Sequence, residues 1–109
     1  MSRQAEFLER QDRNSSTFNN TFQTLGSSLS QPGVIVKIIN NSNVDIDVSL
    51  DGVTNHDFVP MGSFVLYDLR TNHGVEKQFA FKLGTQFYVK GAAAGVGSVY
   101  LSVIAERVF

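Results

Sequence analysis

The sequence predicts a mainly β protein, a small antiparallel β-sandwich or barrel with an N-terminal helical or extended arm. Three observations lead there. From residue 34 onward, short apolar runs recur between clusters of Gly, Pro, Asn and Asp, the spacing of a small all-β domain. Within them Val44, Ile46, Val48 and Leu50 alternate strictly with Asp45, Asp47, Ser49 and Asp51, the period of a half-buried strand. The composition also changes at Pro32-Gly33, which divides the chain into an arm, residues 1–32, and a sandwich domain, residues 33–109.

The strands follow in order. Residues 34–39 are rich in β-branched side chains, as strands prefer, and residues 40–43 read as a turn. The alternating strand 44–50 is closed by Asp51-Gly52. A short strand around residues 57–59 meets Pro60-Met61-Gly62, a turn with Pro at its second position. Residues 63–69 form the next strand, ended by Thr71-Asn72-His73-Gly74. Residues 78–82 and 86–90 make two more around a turn at 83–85. The glycine/alanine stretch 91–97 is a loop, and its small residues would let it fit against a neighbouring subunit. The last strand, 98–108, puts Val99, Leu101, Val103 and Ala105 on one face. Phe64, Phe79, Phe81 and Phe87 are expected in the core.

The arm differs. Of the 19 residues from Asn14 to Pro32, 13 are Ser, Thr, Asn or Gln. Phe18, Phe22, Leu25 and Leu29 are spaced 4, 3 and 4 apart, one stripe of a helix. Such a polar helix is intrinsically weak, because its side chains compete for backbone hydrogen bonds. Three readings stay open: a helix packed on its own domain, an arm docked on other subunits, or a segment that orders on assembly. The docked arm makes Phe18, Phe22, Leu25 and Leu29 partner contacts. Phe109 is expected either under the sandwich or in a neighbouring chain.

A formal net charge of −1 and the lack of any basic run argue against nucleic-acid binding. With no cysteine there are no disulfides and no thiolate metal sites, which fits assembly in a reducing cytoplasm. Charges interrupt the first ten residues where a signal peptide needs an apolar core, and no run approaches the roughly 20 apolar residues that span a bilayer. No membrane partner is expected.

Asp45, Asp47 and Asp51 invite a calcium reading, but their alternation with apolar residues makes them the solvent face of a strand. The glycine loop precedes a strand, not the helix a dinucleotide fingerprint requires. His56 and His73 are the only histidines, too few for a typical three-ligand zinc site. No nucleophile-elbow motif is present. The sequence therefore predicts no enzyme, no metal and no cofactor. Tyr67, Tyr88 and Tyr100 could line a glycan surface if they share one face.

The phrasing of residues 36–41, 48–64, 84–91 and 98–103 resembles small β-sandwich virion structural proteins of tailed bacteriophages, over roughly residues 34–104. The resemblance implies a virion protein present in many copies, assembled in the host cytoplasm. Its place would be the head–tail junction, the tail or the capsid surface as a decoration protein. Its partners would be copies of itself and capsid, portal, connector or tail subunits. The rival expectation is a receptor- or glycan-binding module on a phage fibre.

Overall fold

A computed structural model describes residues 3–69, 80–93 and 95–108. Among these residues, nine strands lie in two antiparallel sheets: β1 (Arg3–Phe7), β2 (Gln11–Asn14), β3 (Gln23–Leu25), β4 (Gly33–Ser42), β5 (Ile46–Ser49), β6 (Asp57–Val59), β7 (Phe64–Asp68), β8 (Phe87–Gly91) and β9 (Gly97–Val108). A single 3-10 turn, Ser15–Thr17, follows β2. One sheet has the order β1–β9–β4–β7, with β2 continuing the β1 edge along β9. The other has the order β3–β8–β5–β6. Taking β1 and β2 as one edge strand leaves eight, ordered 1-8-3-6 and 2-7-4-5. That is the jelly roll, two interlocked Greek keys.

The expected sandwich is therefore present, and its inner faces follow the alternation in the sequence. Val36, Ile38, Ile46, Val48, Phe87 and Val89 are at most 1% exposed. Val99, Leu101, Val103 and Ala105 are buried on β9 as expected. The run 34–42 does not turn at Asn40. The strand continues to Ser42, with Asn40 fully buried. Its amide donates to the Val44 and Val59 carbonyls at 2.8 and 3.0 Å and its Oδ1 accepts from the Ser42 hydroxyl. A buried amide so satisfied ties the two sheets together instead of opposing burial.

The largest correction concerns the first 32 residues. The helix is absent and the boundary at residue 32 does not separate two units. β1 and β2 pair with β9, and β3 pairs with β8. Phe18, Leu25 and Leu29 are 3%, 0% and 5% exposed within this chain's own core, so they are not a free stripe for a partner. Phe22 is half-buried, with the Lys90 ammonium 4.6 Å from its ring centre. The helical spacing of these four residues is coincidental. Gly26 takes a positive φ of 72°, and the Ser/Thr/Asn content favours turns over helix. Phe109, like His73 and Phe79, lies outside the described residues.

The edge strand is bent. Phe7 pairs with Ile104 but Gln11 with Leu101, so one extra residue sits on the β1–β2 side. This is a β-bulge, a common edge device. At one end of the sandwich the turns are bonded together. Asn43 N–H donates to the Val96 carbonyl at 3.0 Å, Val96 N–H donates to Asn43 Oδ1 at 2.8 Å, and the buried Ser15 hydroxyl donates to the Gly97 carbonyl. Gly97 itself has φ +102°, and a Cβ there would stand 2.2 Å from the Asn41 carbonyl oxygen.

Candidate interaction surface

An antiparallel sheet that faces water on its outside should alternate apolar and polar residues. The β1–β9–β4–β7 sheet does not. Register places three rungs across its outer face: Phe7–Ile104–Ile35–Asp68, Ser102–Lys37–Leu66 and Asp12–Tyr100–Ile39–Phe64, apolar at their centres with an aspartate at one end of the first and third. Phe7, Phe64 and Leu66 are 73%, 63% and 53% exposed. A shallow groove of about 160 Å³ runs between Phe7, Ile35, Lys37, Leu66, Ser102 and Ile104. Lys37 supplies the charge in an otherwise mostly apolar lining. Contiguous apolar surface of this kind marks a site of interaction, whereas single exposed apolar residues do not.

Sequence reasoning put Phe64 in the core. On β7 it is Val65 and Tyr67 that turn inward, half-buried, while Phe64 and Leu66 face out. The missed signal is that 34–39, 64–67 and 99–104 are nearly continuous apolar runs. Placed side by side they leave an outer face whose polar side chains are confined to Lys37, Ser102 and the flanking Asp12 and Asp68. Phe81 is partly buried and Phe87 fully, with their rings edge-to-face at 5.3 Å.

The other sequence-predicted groups do not converge. Tyr67 packs edge-to-face on Phe81, and its hydroxyl donates to the Asp57 carboxylate. Burial, with Asp57 beside it, pushes this phenol well above its ordinary range. Tyr88 lies on the outside of the second sheet over Gly52, and Tyr100 on the outside of the first beneath the Arg10 guanidinium. The three tyrosines thus occupy three different surfaces. His56 Nδ1 accepts from the Leu50 N–H at 3.0 Å, a turn contact.

The three aspartates are likewise apart. Asp45 accepts from the Met61 N–H. Asp47 lies across from Lys90 on the outer face of β5. Asp51 accepts from the Thr54 and Val53 N–H groups and the Ser49 and Thr54 hydroxyls. Those donors, the backbone ones foremost, hold its carboxyl far below the usual range. Among the described residues, no three His, Cys, Asp or Glu side chains gather as a metal site.

The glycine stretch 91–97 also has a partner inside the chain. The Phe18 ring lies where a Cβ on Gly91 would be, 2.7 Å away, and Ser15 Oγ lies 2.8 Å from the equivalent position on Gly95. Gly91 and Gly95 therefore receive the N-terminal turn of the same chain, while Ala92 and Ala93 are exposed. No family model, curated protein or solved structure matches the chain.

Proposed function

We propose that the chain is a structural component of a tailed-phage virion, present in many copies as a head–tail junction, tail accessory or capsid decoration protein. The observation that carries this reading is the apolar outer face of the β1–β9–β4–β7 sheet. The jelly roll, an architecture used by viral capsid domains and lectins, supports it by fold analogy only. The resemblance of residues 34–104 to phage virion sandwiches supports it independently. The partners are copies of this chain and capsid, portal, connector or tail subunits, met during assembly in the host cytoplasm.

Magnitudes favour many contacts over one. Fully burying a Phe or Leu side chain contributes about 1.5–3 kcal/mol, so three per face give roughly 5–9 kcal/mol. Association costs about 4–15 kcal/mol. An isolated pair held by this face is weak, while a closed ring or a lattice with several contacts per copy is stable. The fibre-borne glycan module draws less support, because its three tyrosines do not share a face. Light scattering across a concentration series tests the proposal. The expected result is a mass that rises with concentration and a Phe64→Ser, Leu66→Ser variant that stays monomeric. A wild-type chain that is monomeric throughout and bound to no particle would overturn it.

A further inference from the structure

We propose that the first edge element, residues 3–18, is exchangeable and pairs with β9 of a second copy of this chain. The inference rests on the multi-copy reading above and names one partner and one contact within it. Four observations carry it.

Along its backbone strands the element is held by a single ladder, to which Arg13 adds a side-chain hydrogen bond to the Thr24 carbonyl at 2.6 Å. Among the described residues, β1 and β2 pair with β9 and with no other strand. Its inward side chains are plugs in sockets that the rest of the chain shapes with glycines: Phe18 at Gly91 and Ser15 at Gly95. The sockets belong to β8 and the turn before β9, so they accept the plug of any copy. The joint behind the element is incompletely filled. A cleft of about 270 Å³ separates Leu8, Glu9 and Gln11 from residues 27–30 over a floor of Leu101 and Val103. Apart from this cleft, Gln23 Oε1 on β3 is buried with no hydrogen-bond partner among the described residues. Finally, the link to β3 is short and left-handed. Asn19, Asn20 and Thr21 are exposed, Asn20 has φ +65°, a conformation Asn accepts and Gly accepts more readily, and the Asn20 N–H donates to the Gly91 carbonyl at 3.0 Å.

Phe18 belongs to the core, so its socket stays filled either by the chain's own element or by an identical one. Exchange between two copies keeps every ladder and socket contact and straightens the hinge at the loss of the Asn20 N–H bond to the Gly91 carbonyl, and short hinges favour that outcome.

The chain has no cysteine, which makes the test clean. Asn14 and Ser98 are facing partners on β2 and β9. Facing Cβ atoms lie about 4.5–5.5 Å apart, near the range a disulfide needs. Full-length Asn14→Cys and Ser98→Cys proteins are mixed in equal amounts, refolded together and oxidised. Exchange predicts a reducible two-chain product involving about one joint in four, the random-pairing share for a symmetric swap. It also predicts that adding Asn20→Gly to both lowers that product severalfold. No two-chain product from the mixture, with the doubly substituted chain cross-linked wholly within itself, would overturn exchange. In that case light scattering on the wild type separates the claims. A multi-copy mass leaves the assembly reading standing, and a monomer removes both. Asp12→Cys with Tyr100→Cys, the next facing pair, repeats the test if loss of the Asn14 cap to Ser16 N–H prevents folding.

Discussion

The two outer faces of the sandwich are built on similar inner faces and differ in what they leave for a partner. On the β3–β8–β5–β6 sheet, the outward groups are largely engaged within the chain. Lys90 reaches Asn55 and the Phe22 ring, Tyr88 lies over Gly52, and Ser49 is covered by the turn that Asp51 organises. Phe58 is the large apolar side chain left exposed on that strand set. On the β1–β9–β4–β7 sheet, two mainly apolar rungs, around Ile35 and Ile39, flank the Ser102–Lys37–Leu66 rung, and Phe7, Phe64 and Leu66 stand exposed. Burial on the inside makes the fold. The asymmetry on the outside is the feature on which the proposed assembly rests.

Substitutions can sharpen or break that contrast. The largest effect belongs to the inside: Leu25→Ala, at a fully buried position, should cost about 2–5 kcal/mol in chemical denaturation. Its folded fraction should keep the same self-association. Tyr67→Phe comes next. It removes the hydroxyl that the Asp57 carboxylate accepts and should cost about 1–3 kcal/mol near neutral pH. Its folded pKa is raised, so its contribution is complete below the ordinary phenol value of about 10 and declines as pH rises above it. The wild type should lose stability in alkali more steeply than Tyr67→Phe.

Outer-face changes come lower on the stability scale. Phe64→Ser with Leu66→Ser should move the unfolding midpoint little, about 0.5 kcal/mol per site, yet abolish association. Phe58→Ser on the opposite face should change neither. Equal loss of association from both faces would break the comparison. The smallest effect is local. Asp51 has a depressed folded pKa, so its contribution is present above the ordinary carboxylate value of about 4 and is lost as pH falls below it. Protection factors at Val53 and Thr54, corrected for the intrinsic pH dependence of amide exchange, should fall in acid in the wild type and be low at all pH values in Asp51→Asn.

Most of the sandwich from β4 to β9 was legible because period-2 alternation and turn residues agree along it; the exceptions are residues 40–42, which stay in β4, and the strand expected over 78–82, of which the described part holds an isolated bridge from Phe81 to Gly33. The N-terminal third was not. Phe18, Phe22, Leu25 and Leu29 happen to fall at helical spacing, and their true partners, such as Gly91 behind Phe18, are far away in sequence. The glycine stretch read as a loop because its purpose, leaving room for the Phe18 ring and Ser15, is visible only in space. The outer apolar face escaped notice for a related reason. The run Phe64-Val65-Leu66-Tyr67 does not say which alternate pair points inward, and it is the neighbouring β4 that fixes it.

The central claim is that the outer face of the β1–β9–β4–β7 sheet builds this chain into a phage particle. Quantitative mass spectrometry of purified particles, made with the wild type, with Phe64→Ser and Leu66→Ser together, and with Phe58→Ser, tests it most directly. The account predicts several copies per particle for the wild type and Phe58→Ser, and loss of the chain from particles when Phe64 and Leu66 are changed. Absence of the wild-type chain from particles, or undiminished incorporation of the doubly substituted chain, would contradict it.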